Sequence, residues 1–160
     1  MNHDFTPYNQ LRPRFNSNIP RRSRPVIRDY GPRPLTLNIK EATMKNSNFR
    51  TTLWTGCHLQ VTLMCIPVDE EIGLELHPEV DQFLQIECGQ GVVIMGDRKD
   101  RMHFHDKINS GCAIMIPAGK WHNIINTGSV PLKLYSVYAP PQHPHGTVHR
   151  TKAEAEKEEA

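Results

Sequence analysis

The chain is poor in aromatic residues, 7% of its 160, and its apolar fraction of 38% is low for a wholly globular protein. No stretch comes near the ~20 consecutive apolar residues that a bilayer-crossing helix needs. The N-terminus lacks the apolar segment of a secretory signal. The expected address is therefore the cytoplasm, with no membrane partner. None of the four cysteines, Cys57, Cys65, Cys88 and Cys112, falls in a C-x-x-C pair, and there is no cysteine-rich zinc motif. They sit in or beside apolar runs, which predicts buried, reduced thiols; a structural disulfide would conflict with the cytoplasmic address. A dominant charge is missing too. The formal net charge of +2 gives no whole-protein attraction to a polyanion, so nucleic acid is not an expected partner.

The apolar deficit is unevenly spread. Residues 1–34 hold seven Arg and six Pro but only two acids, Asp4 and Asp29. The prolines (Pro7, Pro13, Pro20, Pro25, Pro32, Pro34) block helix and central-strand roles, so this segment reads as an extended arm. Its cluster Arg21, Arg22, Arg24 and Arg28 could touch a phosphate-bearing surface, but reads more simply as a solvated tail, or as an arm packed on a second subunit. Residues 142–160 read as a His-containing loop followed by a charged tail. Between these ends, residues 35–141 have normal core content, and a segment of about that length buries a core without staples.

From Leu35 the texture alternates. LTLNI, FRTTLW and HLQVTLMCIP each place apolar side chains on one face, as half-buried strands do. GLELH, QFLQIEC, GVVIM, RMHFHDKI, CAIMIP, WHNIIN and LKLYSVY follow, separated by turn residues such as Gly89 with Gly91, Ser110-Gly111 and Pro117 with Gly119. Helix fits only Ile39–Asn46 and the tail after Thr151. Short strands at this spacing, with no strong amphipathic helix between them, predict an all-β sandwich or barrel, and the lack of an internal repeat favours one barrel over a duplicated one.

Two clusters carry chemistry. The first runs from Gly73 through Glu75, His77 and Gln82 to Gly89. Side chains two apart on a strand share a face, so Glu75 and His77 point the same way. Gln82 follows a turn at Pro78–Asp81 and opens the next strand facing back. The second cluster runs from Gly111 through Pro117, Gly119 and His122 to Asn126. A strand ends at Pro117, the Pro-Ala-Gly segment turns the chain, and His122 enters another strand beside Trp121.

The second cluster resembles the second motif of the cupin superfamily, G-x5-P-x-G-x2-H-x3-N, at every specified position. The first resembles that family's first motif, G-x5-H-x-H-x4-E-x6-G, with departures. His77 and Gly89 match, Glu75 stands where a His is expected, Gln82 stands where a Glu is expected, and Gly73 lies too close for the usual spacing. The resemblance spans roughly Leu35 to Pro141. It implies a small single-domain metal-binding cupin, folded as a single antiparallel β-barrel of jelly-roll type and similar to mannose-6-phosphate-isomerase-like cupins, with Glu75, His77, Gln82 and His122 as metal ligands. The usual set is three imidazoles and one carboxylate. Here Glu75 restores the carboxylate and Gln82 adds a neutral oxygen, so net charge is kept while one nitrogen becomes an oxygen. That shift favours harder ions within the borderline group; Mn, Fe, Ni, Co and Zn are the divalent metals in play.

The implied activity is Lewis-acid chemistry on a small-molecule ligand: a sugar, sugar-phosphate or sugar-acid undergoing isomerisation or ring opening. An iron-dependent dioxygenase is the alternative enzyme, since two His and one carboxylate suit redox-active iron. A non-enzymatic ligand-binding or structural module is the third reading. The resemblance also implies a homodimer paired through its sheets. The catalytic acid or base is unassigned.

Other residues invite a site and carry less. His103 and His105 share a strand face in a charged stretch and read as surface. His143, His145 and His149 read as part of a solvated loop. Trp121 should turn its ring away from the metal. Tyr135 and Tyr138 lie on opposite faces of the last long strand, and either could enter the cavity. Asp81 and Glu79 sit in the turn between ligands, where exposed acids are common.

Overall fold

The structure is a computed structural model that describes residues 26–159. The prolines up to Pro25 and Arg21, Arg22 and Arg24 lie outside the described residues. The elements run α1 (Ile39–Lys45), β1 (Arg50–Thr55), β2 (Gln60–Ile66), β3 (Asp81–Cys88), β4 (Gln90–Gly96), β5 (Phe104–Asn109), β6 (Ala113–Ile116), β7 (Trp121–Asn126), β8 (Leu132–Ala139), β9 (Val148–His149) and α2 (Lys152–Glu159).

The strands form two antiparallel sheets, as the jelly-roll reading expects. One has six strands in the order β6-β3-β8-β2-β1-β9, the other three in the order β5-β4-β7. Strand β8 runs between β3 and β2, pairing along its length with both. Alternation places Leu132, Leu134, Ser136 and Tyr138 of β8 inward, all fully buried, while Lys133, Tyr135 and Val137 face out. The main core lies between the sheets: Met64, Ile66, Leu84, Ile86, Leu132 and Leu134 of the large sheet meet Val93, Ile108 and Ile124 of the small one.

Three stretches differ from the sequence reading. Leu35–Asn38 is not a strand. Its Leu37, with Ile39, packs on Leu53 and Val61 without a ladder, and Asn38 then caps α1 by accepting the Glu41 N–H at 3.0 Å. GLELH is not a continuous strand either: its Glu75, like Glu71 just before the run, makes only an isolated bridge to β7. The chain ends are also less free than expected. Asp29 accepts hydrogen bonds from Gly31 N, Thr55 N, Thr55 Oγ1 and Gly146 N, tying residues near 30 to the loop before β9. His149 pairs with Arg50 at the sheet edge and is buried, and Ala155 of α2 enters the main core.

The four cysteines are unpaired, as expected, but none is fully buried. Cys57 is exposed and the other three are half-buried. No described helix is long and apolar enough to cross a membrane.

Candidate metal centre

Backbone pairing delivers the site. Glu75 and His122 exchange both main-chain hydrogen bonds, Glu75 N to His122 O at 3.0 Å and His122 N to Glu75 O at 2.9 Å. Asn123 reinforces the alignment, accepting the Gly73 N–H and donating to Glu71 Oε2. Gly119 turns the chain at a φ of 77°, where a side chain would be strained, and its N–H donates to the His77 carbonyl at 2.8 Å. Asp81, exposed as expected, accepts the Ala118 N–H and steadies the same turn. The motif residue Asn126 has a structural task. Its amide donates to the carbonyls of Ile66, Pro67 and Val130.

The side chains of Glu75, His77 and His122 converge, with one donor atom from each lying within 4.8 Å of the others. Glu75 Oε1 is 3.3 Å from His122 Nε2 and 3.4 Å from His77 Nε2. The His122 Nδ1 lies 2.9 Å from the Lys120 carbonyl oxygen. A carbonyl only accepts, so Nδ1 carries a proton, and Nε2 is the nitrogen that faces the carboxylate. His77 Nε2 is buried and lacks a hydrogen-bond partner. Burial pushes the Glu75 carboxyl up, but the neighbouring His122 and His77 outweigh it and hold it well below the usual carboxylate range. The result is a charged carboxylate facing two imidazole nitrogens, an arrangement that calls for an added proton or a cation.

Gln82 lies on β3, in the large sheet. It is buried on β3 opposite Ile116 and Tyr138. Its Nε2 donates to Ser136 Oγ at 2.9 Å, which fixes the amide and leaves Oε1 buried without a partner. Buried polar atoms are nearly always hydrogen-bonded in native proteins. Two unpartnered donor atoms, His77 Nε2 and Gln82 Oε1, belong to two of the four residues selected from sequence, and they fit a bound cation.

Of the other candidates, His103 and His105 are exposed, and Trp121 points away with Lys99 over its ring. Tyr138 is the tyrosine that enters: it is fully buried, its ring edge-on to His77 at 5.8 Å, while Tyr135 faces out beside Phe83. Burial pushes the Tyr138 hydroxyl up to about 12. His143 was expected in a solvated loop; its ring instead reaches inside, edge-on to Tyr138 at 5.2 Å. His149 is likewise buried, its Nε2 2.6 Å from Glu158 Oε2. Both corrections share a cause: the loop after β8 folds back over the sheet instead of leaving it.

A family model described as the Cupin domain matches residues 62–138. The chain is similar to the protein YrkC of Bacillus subtilis strain 168, at 59% identity over 130 residues that cover 81% of this chain and 70% of that one. It is similar to a protein of Acanthamoeba polyphaga mimivirus, at 40% identity over 113 residues covering 70% and 69%. Among solved structures, the Bacillus halodurans protein BH2720 aligns at 60% identity with a TM-score of 0.81, over 82% of this chain and 99% of that one.

Proposed function

This chain belongs to the cupin superfamily, and on that footing we propose that Glu75, His77, Gln82 and His122 hold a divalent metal ion that serves a small hydroxylated substrate. The substrate class is a sugar, sugar-phosphate or sugar-acid, and the reaction an isomerisation or ring opening. The observation that carries this reading is the donor set itself. A buried carboxylate faces two imidazole nitrogens, and an amide oxygen on the adjoining strand has nothing else to bond.

The donors suit a borderline divalent ion such as Mn, Fe, Ni, Co or Zn, with two nitrogens, one carboxylate oxygen and one neutral oxygen. When bound, such an ion acts as a Lewis acid on a carbonyl or hydroxyl oxygen. The protein's own groups do the rest. The Lys120 carbonyl fixes the His122 ring, and Ser136 fixes Gln82. Tyr138 keeps its proton at neutral pH, with its ring edge-on to His77 and its hydroxyl near Ser136 and Thr62.

Elemental analysis of protein prepared without an affinity tag tests the reading. The expected result is about one divalent ion per chain, and His122→Ala should lose nearly all of it while still folding. Full metal occupancy in that variant would show the ligand assignment to be wrong. Iron with oxygen uptake on turnover would replace it with the dioxygenase. A metal-free native chain would point to the binding or structural module.

A further inference from the structure

Three side chains stand in a row across the inner face of the small sheet. Residues directly opposite each other on antiparallel strands share a face, and Met95 of β4 is opposite both His122 of β7 and Phe104 of β5. Met95 packs against the main core, so the shared face is the inward one. His122, Met95 and Phe104 therefore follow one another at the strand spacing of about 4.8 Å. The first is a candidate metal ligand. The last faces inward and is still 45% exposed, an informative position for a large apolar side chain.

The exposure has a cause. The fold is open beside β5, where Met95, Gly96, His103, Phe104, Pro117 and Lys120 line a cavity of about 170 Å³. This cavity adjoins the candidate metal centre in two places. Met95 is the cross-strand neighbour of His122, and Pro117 follows Ile116, the cross-strand neighbour of Gln82. A pocket for a whole ligand measures roughly 300–1,000 Å³, so this one suits part of a ligand. Met95, Phe104 and Pro117 give it apolar walls. The Lys120 ammonium is already bonded to Asp97, which leaves apolar contact as what the cavity chiefly offers. Water against such walls is displaced favourably by an apolar group.

We propose that Phe104 and Met95 determine substrate specificity by packing against an apolar substituent next to the metal-binding head group. The inference rests on the metal reading and narrows its substrate class. The ligand is a hydroxy acid whose hydroxylated end lies at Glu75, His77, Gln82 and His122 and whose other end is apolar, a deoxygenated sugar-acid in place of a fully hydroxylated one.

The test uses the full chain loaded with Co2+, with the visible absorption of the ion as readout. Three probes share a 2-hydroxycarboxylate head: glycolate has no tail, 2-hydroxyhexanoate has an apolar tail, and D-gluconate has a hydroxylated tail of equal length. In the native chain 2-hydroxyhexanoate should bind tightest, by about fourfold over glycolate for each methylene group that the cavity buries. Gluconate should gain nothing from its tail. Phe104→Ser should keep the Co2+ content and the glycolate affinity, and bring 2-hydroxyhexanoate down toward glycolate. Phe104→Leu, which stays apolar, should recover part of the difference. Met115→Ser removes an exposed apolar side chain from the outer face of β6 and should change nothing. Gluconate binding as tightly as 2-hydroxyhexanoate to the native chain would overturn the inference without any variant. So would equal weakening of glycolate and 2-hydroxyhexanoate in Phe104→Ser, an unchanged preference there, the same loss in Met115→Ser, or Co2+ uptake with no response to any probe. Each of these leaves the metal reading standing. Failure of the native chain to take up Co2+ removes the metal reading, and the inference with it.

Discussion

The two ends of the inward face of the six-stranded sheet are built by the same alternation and do opposite things. Along β8, Leu132 and Leu134 fill one end, against Met64, Ile66, Leu84 and Ile86. Two and four residues on, Ser136 and Tyr138 face the other end with Gln60, Thr62 and Gln82 beside them. Both ends are fully buried. At the apolar end every side chain is complementary to its neighbours, so burial stabilises directly. At the polar end several groups hold each other in place and leave bonding capacity over. Stability is concentrated at one end of the strand and chemical capacity at the other.

The comparison breaks most visibly at the apolar end. Leu134→Ala should destabilise the protein by about 2–5 kcal/mol, the usual result of truncating a fully buried Leu, with metal content unchanged in the fraction that folds. Chemical denaturation and elemental analysis on the same preparation read both. A loss of metal in parallel with stability would mean the two ends are not separable. His122→Ala is the mirror experiment, removing metal and sparing the fold.

A smaller effect is expected at Gln60. Gln60→Leu strips partners from the backbone of Gln142 and His143, and such losses cost about 1–3 kcal/mol. Hydrogen exchange should speed up at the His143 amide and stay slow in β8. Uniform acceleration would place Gln60 in the general core and not in the loop clamp.

The most gradual effect, spread over several pH units, concerns acid. Burial pushes His143 down to about 3, and the charges of Arg50, His77 and His149 push the same way, against Glu75. Tyr138, packed against the ring, is uncharged in this range. Between that value and the ordinary 6.5, the unfolded chain binds a proton at His143 and the folded chain does not. Stability therefore falls as pH drops through this window, by up to about 1.4 kcal/mol per pH unit for the one group. His143→Gln should flatten the slope of stability against pH there. An unchanged slope would show that the imidazole is not held neutral.

Much of this was legible beforehand. Alternating runs located most strands, and Gly111, Pro117, Gly119, His122 and Asn126 picked out the turn and the strand that carry His122. Gln82 was readable as inward-facing because the Pro78–Asp81 turn resets the strand. Leu35–Asn38 misled because alternation reports a buried face and not a hydrogen-bonded neighbour; those residues bury apolar side chains with no strand alongside. Glu75 and His77 share a site without sharing a continuous strand, since only Glu71 and Glu75 find bridges on β7. His143 could not be read at all. Its direction depends on Gln60, 83 positions earlier, and no local pattern in PPQHPHG encodes a partner that distant.

The position of β8 has a consequence for how the molecule comes into being. The strand that lies between β2 and β3, and that joins the two halves of the large sheet, is synthesised well after both of them. Until synthesis passes residue 139, β2 and β3 each present an open edge, the kind of surface that recruits foreign strands. The nascent protein therefore passes through a stage at which both edges are open to misassembly, and a stall just before β8 would hold it there.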